Sequence, residues 1–112
     1  MVEEINPEEV NEKITSGKPI QVVDIRSEED FKRGHIPGAV NIPFAELPVK
    51  VAEHEWSDEI VVACPIGQSS IQAARLIGSF EGVPEDASVK SMRGGYEEWS
   101  YDLEAETTDA PI

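Results

Sequence analysis

The sequence predicts an α/β fold with a mainly parallel sheet. Two observations carry this. Short β-branched runs, Ile20–Ile25 and Glu59–Ala63, are apolar nearly throughout, as strands buried on both faces are. Segments with helical spacing or helix-start signals alternate with them along the chain.

Taken in order, Asn6-Pro7-Glu8-Glu9 reads as a helix start. Asn6 suits the N-cap, Pro7 the first turn, and two glutamates favour the positive helix end. Val10 and Ile14 share a face and Gly17 suits the position after the C-cap, so a helix is predicted from Pro7 to Ser16. The strand Ile20–Ile25 follows. Ser27 with Asp30 three residues on resembles a capped start, giving a short helix to Arg33 that stops at Gly34. His35-Ile36-Pro37-Gly38 is a turn and Ala39–Ile42 a short strand. From Phe44 to Glu55 the pattern weakens, and Pro48 either opens a helix or leaves two broken turns. After the strand Glu59–Ala63 and the loop 64–70, two apolar sets recur at helical spacing: Ile71, Ala74, Ile77 and Ala73, Leu76, Phe80. Gly82 is the expected end of that helix. Ser88–Met92 is a strand, Gly94-Gly95 a turn, and Tyr96–Tyr101 a last short helix. Residues 1–101 form the expected single domain, and 102–112 an acidic, mobile tail.

Composition narrows the function. With 112 residues, 39% of them hydrophobic, the chain supports one compact core. No apolar run approaches the roughly 18 residues of a membrane span, and the acidic start lacks the features of a secretory signal. A soluble cytoplasmic protein is expected. Asp and Glu total 23 against 9 Lys and Arg, a net charge of −14. Such a surface repels nucleic acid and anionic membranes, so neither is an expected partner. The excess also leans toward a salt-rich cytoplasm, where counterions screen the repulsion. The single cysteine excludes an internal disulfide, and two distant histidines exclude a zinc site, so no metal or cofactor is expected.

Cys64 is either a small buried hydrophobe or a reactive thiol. Its position favours the second. It ends a strand, and functional groups of open α/β sheets gather at the carboxyl ends of strands. A loop and an amphipathic helix follow. If the loop curls around the sulfur, the amides of Ile66, Gly67, Gln68, Ser69 and Ser70 and the positive helix end face it, which stabilises a thiolate. Gly67 permits the tight curl, and Ser69 or Ser70 can cap the helix or donate to an anion.

Three stretches resemble the rhodanese-like sulfurtransferase family. They are Asp24-Ile25-Arg26 with Gly34-His35-Ile36-Pro37-Gly38-Ala39, the Cys64 loop, and Arg93-Gly94-Gly95-Tyr96 with Trp99. Together they span nearly the whole domain. The resemblance implies a five-stranded parallel sheet flanked by helices on both faces. It also implies transfer of sulfane sulfur through a cysteine persulfide. Cys64 is then the nucleophile, and residues 66–70 the anion cradle. The donor is thiosulfate or a persulfide, and the acceptor a thiol, cyanide or a sulfur-carrier protein. Alternatively, the domain serves as a low-turnover sulfur carrier or docking module. Many members end the loop with arginine where Ser69 stands. That absence weakens the grip on thiosulfate and argues against the phosphatases of this fold. Arg93 either lends local positive charge to the site or pairs with Glu97 or Glu98. Asp24, Arg26 and His35 are expected in structural support, Trp99, Phe31 and Phe80 in the core, and His54 in solvent.

Overall fold

A computed structural model describes residues 2–105. Five strands form a single sheet: β1 (Glu3–Ile5), β2 (Gln21–Asp24), β3 (Val40–Asn41), β4 (Glu59–Ala63) and β5 (Ser88–Met92). Their spatial order is β1-β5-β4-β2-β3, and every pairing is parallel. The central pair is in register with Val22 beside Val61 and Asp24 beside Ala63. This places Asp24 and the residue after Ala63 at the same edge of the sheet.

Alternation along the central strands divides the core. Val23, Ile60 and Val62 point into one cluster, closed by Ile77, Ala73 and Ala74 of α4 (Ser69–Gly78) and by Leu47 of α3 (Leu47–Lys50). Val22, Val61 and Ala63 point into the other, closed by Val10 of α1 (Pro7–Thr15), Met92 and Trp99. Both faces of the sheet are therefore covered, which is why β4 is apolar along nearly its whole length and Val22 and Val23 of β2 are both buried. No helix among the described residues is long and apolar enough to cross a membrane.

Several elements differ from expectation. β1 has no counterpart in the sequence pattern, because only Ile5 of its three residues is buried. Asn6 stands at the N-cap of α1, but its side chain makes no capping bond. At α2 (Glu28–Arg33) the cap is made: Ser27 Oγ accepts from the Asp30 amide at 3.2 Å. The weak region resolves as α3 between two 3₁₀ turns, Phe44–Glu46 and Val51–Glu53. α4 ends at Gly78 rather than Gly82. A turn closed by the Val83 amide on the Phe80 carbonyl brings Val83 back into the core. Phe80 only half-buries against that cluster, and the buried Phe31 stacks on His35, 3.8 Å between ring centroids. His54, expected in solvent, is half-buried beside Trp56.

The helix expected over Tyr96–Tyr101 is a 3₁₀ turn, Gly95–Glu98. After it, Trp99 is extended and its indole N–H donates to the Asp102 carbonyl. Glu104 then pairs antiparallel with His35. The first residues of the expected tail are thus tied to the domain, while 106–112 lie outside the described residues.

Candidate active site

β4 delivers the chain to Cys64 at the carboxyl edge of the sheet, and the loop 64–68 returns it into α4. Two amides from the turn after β5 hold this loop. The Tyr96 N–H donates to the Cys64 carbonyl at 2.9 Å and the Glu97 N–H to the Pro65 carbonyl at 3.0 Å. Those amides begin the Gly95–Glu98 turn, where no internal acceptor exists for them. The approach is so close that only glycine fits at two places. A Cβ on Gly95 would run into the Cys64 carbonyl oxygen, and one on Gly67 would lie 2.8 Å from the Gly94 nitrogen. Both residues also have positive φ, +61° and +83°.

The loop turns its donors inward. Cys64 is 1% exposed, and its Sγ accepts from the Gly67 N–H at 3.0 Å and the Ser70 N–H at 3.3 Å. The thiol donates to Ser70 Oγ at 3.2 Å, and Ser70 Oγ lies 2.7 Å from Ser91 Oγ on β5. Of the five expected amides, those of Gly67 and Ser70 reach the sulfur. Ile66 and Gln68 present exposed side chains, and the Gln68 carbonyl accepts from Ile71 instead. Neither serine caps α4 through its side chain. Gln68 is the N-cap, and the Ser70 hydroxyl is engaged with the sulfur. Two aligned amides thus donate to the sulfur, and a hydroxyl able either to accept from it or to donate to it lies within hydrogen-bonding reach.

Asp24 anchors the neighbouring strand end. It is fully buried and accepts from the Arg26 amide and from the Arg26 guanidinium, with Nη2 to Oδ2 at 2.8 Å. Arg26 also donates to the Gly34 carbonyl and lies over the Tyr96 ring, 3.5 Å from its centroid. Burial opposes the Arg26 charge, but the bond and charge of Asp24 outweigh it and hold the guanidinium above its ordinary value. The Tyr96 hydroxyl donates to Asp24 Oδ2 at 2.8 Å and accepts from the Ile36 N–H at 3.0 Å. Burial, then the Asp24 charge, pushes its ionisation well above the ordinary tyrosine range. Tyr96 thus joins the Asp24–Arg26 pair to the Cys64 loop: its ring end touches one and its amide the other.

The remaining expected residues lie farther out. His35 is buried, with Nδ1 2.8 Å from the Phe31 carbonyl and Nε2 3.7 Å from Glu104 Oε1, and so braces the turn at Pro37. Arg93 does not pair with Glu97 or Glu98. Its guanidinium, 63% exposed, lies 3.5 Å from Glu4 on β1, and it makes no hydrogen bond to the sulfur among the described residues. That pairing follows from β1, which sets Glu4 beside Ser91. The sequence alone assigns no role to Tyr96 beyond its place in the family-like stretch, and none to Ser91. Tyr96 is within reach as the residue after Gly94-Gly95. A lone serine in a strand carries no such signal. Among the described residues no group of three or more histidine, cysteine or acidic side chains is placed to hold a metal.

The sequence pattern of the rhodanese-like domain family matches residues 6–102. The chain belongs to the rhodanese-like family. Among rhodanese-like relatives, a thiosulfate sulfurtransferase of Shewanella oneidensis, GlpE, is 34% identical over 86 residues, covering 77% of this chain and 81% of that protein. A putative sulfur carrier protein of Bacillus subtilis, YrkF, is 35% identical over 76 residues, 68% of this chain. The chain spans only 41% of that longer protein. The human single-domain sulfurtransferase TSTD1 superposes with a TM-score of 0.69 at 26% identity, covering 88% of this chain and 96% of that one. The parallel five-stranded sheet with helices on both faces is the fold these rhodanese-like structures share.

Proposed function

We propose that this rhodanese-like domain is a sulfurtransferase that carries sulfane sulfur as a Cys64 persulfide. The observation that carries the reading is the convergence of the Gly67 and Ser70 amides and the Ser70 hydroxyl on one buried sulfur at a strand end. The Cys64 thiolate attacks the sulfane sulfur of thiosulfate. The new S–S bond forms as the old one breaks, and sulfite leaves with the electron pair. The amides that held the thiolate then face the persulfide. An acceptor thiolate or cyanide attacks the outer sulfur, the Cys64–sulfur bond breaks, and the Cys64 thiolate is restored. Because Cys64 is the only cysteine, an external acceptor must complete the cycle. A lone persulfide carrier suits a reducing cytoplasm.

Incubation with thiosulfate should add the mass of one sulfur atom to Cys64, and cyanide should remove it. Cys64→Ser should abolish both mass shift and turnover while circular dichroism and melting stay close to those of the parent chain. A parent protein that gains no mass from thiosulfate or from a persulfide donor sinks the proposal.

A carrier with little turnover of its own is the second reading. The serine at the loop end favours it, since among the described residues no cationic side chain bonds the sulfur to hold a free dianion. So does the likeness to a protein described as a putative sulfur carrier. Turnover much faster from a protein persulfide than from thiosulfate would select the carrier; comparable rates would select the thiosulfate enzyme.

A further inference from the structure

Ser91 has no role in the transfer described above, yet it is fully buried and its hydroxyl meets that of Ser70 at 2.7 Å. Ser70 in turn is fully buried against the sulfur. The three groups come from three separate elements: the loop after β4, the first turn of α4, and β5. The register sets Ser91 beside Val62, two residues before the cysteine. The result is an unbroken hydrogen-bonded line from sulfur to strand in an otherwise apolar layer.

Each hydroxyl has one proton to give, and this fixes how the line must run. With a neutral thiol, the sulfur donates to Ser70, and Ser70 donates to Ser91. Once the sulfur is ionised it can only accept. Ser70 must then turn its proton to the sulfur, and its oxygen needs a donor in exchange. Ser91 is placed to be that donor, and either atom of the serine pair can play that part. The line reverses as a unit. In its reversed form it ends on an anion: the Ser70–sulfur bond becomes charge-assisted and roughly twice as strong, and the Ser91–Ser70 bond behind it is polarised more modestly.

We propose that Ser91 is a positioning residue for the Cys64 thiolate: it orients the Ser70 hydroxyl toward the sulfur by donating to it. This rests on the reading of Cys64 as the nucleophile and deepens it. Asp24 is held by Arg26 and Tyr96, and Arg93 by Glu4. No charged side chain among the described residues bonds the sulfur or either hydroxyl. The groups that bond the sulfur are the Gly67 and Ser70 amides and the hydroxyl line.

The test follows the ultraviolet absorbance of the thiolate, and the rate of alkylation by iodoacetamide, against pH in the full chain and in Ser91→Ala. The pH of half-ionisation should rise by roughly a few tenths of a unit in the variant, because Ser91 acts on the charge-assisted Ser70–sulfur bond by aiming and polarising it. A variant that melts close to the parent but titrates with it overturns the proposal. Should Ser91→Ala fail to fold, the unmutated protein gives a second readout. The Cβ resonance of labelled Ser91 should shift with the same midpoint as the thiolate absorbance, and a resonance that stays fixed while Cys64 ionises overturns the proposal. Neither readout needs sulfur transfer. A persulfide that fails to form, with the titration shift intact, removes the proposed function and leaves the relay; the opposite pair of results removes the relay alone.

Discussion

Tyr96 shows how much one side chain can join. Its hydroxyl bonds Asp24 and the Ile36 amide, its ring lies against Arg26, and its own amide holds the Cys64 carbonyl. Tyr96→Phe keeps the ring and the amide but leaves the Ile36 N–H without its partner and removes one of three donors to Asp24 Oδ2. We expect a loss of about 1–3 kcal/mol in denaturant unfolding. The phenol also makes stability depend on pH in a stated direction. The unfolded chain releases this proton near the ordinary value of 10, while the folded chain keeps it to higher pH. The unfolded state then binds fewer protons, so stability is complete below pH 10 and falls as pH rises above it. The slope approaches about 1.4 kcal/mol per pH unit. Unfolding measured from neutral pH upward should show a shallower alkaline decline in Tyr96→Phe than in the parent. Parallel curves would mean that Tyr96 ionises as readily folded as unfolded.

At the scale of elements, the Gly94-Gly95 turn is the part that fixes the Cys64 loop. Gly95→Ala places a methyl group against three backbone groups, the Cys64 carbonyl oxygen and, at 2.7 Å each, the Gly67 nitrogen and the Pro65 carbon, none of which can rotate away. The positive φ adds strain of its own, about 1–2 kcal/mol. A total loss of about 3 kcal/mol or more is expected, together with loss of sulfur loading at Cys64. Gly38→Ala is the control. Its φ is +81°, but nothing lies within 4 Å of the added carbon, so the strain alone should appear. Equal losses at the two sites would show that the close approach costs nothing. At α2, Ser27→Ala removes the bond to the Asp30 amide and should cost about 1 kcal/mol in the same assay.

The same elements show what a sequence discloses. β2, β4 and the cap of α2 are legible because their signals are local: runs of apolar residues, or a serine three places before an acid. The strand-end position of Cys64 is legible for the same reason. β1 is not, because its glutamates face solvent and its one buried residue, Ile5, gives no period to detect. The errors then propagate. Without β1 there is no Glu4 beside β5, and Arg93 is assigned to the nearest acids in sequence rather than in space. The last helix fails for a different reason: the amides at its start serve the Cys64 loop, and the turn stays short. The Ser70–Ser91 contact spans 21 residues and two elements, which no local pattern encodes.

At the scale of the molecule, negative charge governs how the surface responds to solvent. An excess of 14 negative charges on 112 residues opposes compaction, and the exposed helical pairs such as Lys32 with Glu28 contribute only a few tenths of a kcal/mol each. Added salt screens both, but repulsion is the larger of the two. The melting temperature should therefore rise as sodium chloride is raised from a few millimolar toward molar concentration. A fall over that range would show that specific pairs, not net repulsion, govern the response. The same comparison of sulfur loading at low and high salt would separate a loss of fold from a loss of chemistry.

The order of strands across the sheet sets the timing of assembly. β1 is made first of the five, yet among the described residues its neighbour in the sheet is β5, the last of them. During synthesis it must wait, unpaired, until residues 88–92 have left the ribosome, while β2, β3 and β4 can already zip together. The acidic pair Glu3-Glu4 keeps that waiting segment wet and unattractive to other open edges. The two ends of the domain therefore meet through β1 and β5, and the Gly94-Gly95 turn that follows β5 leads from that pairing to the clamp on the thiol loop.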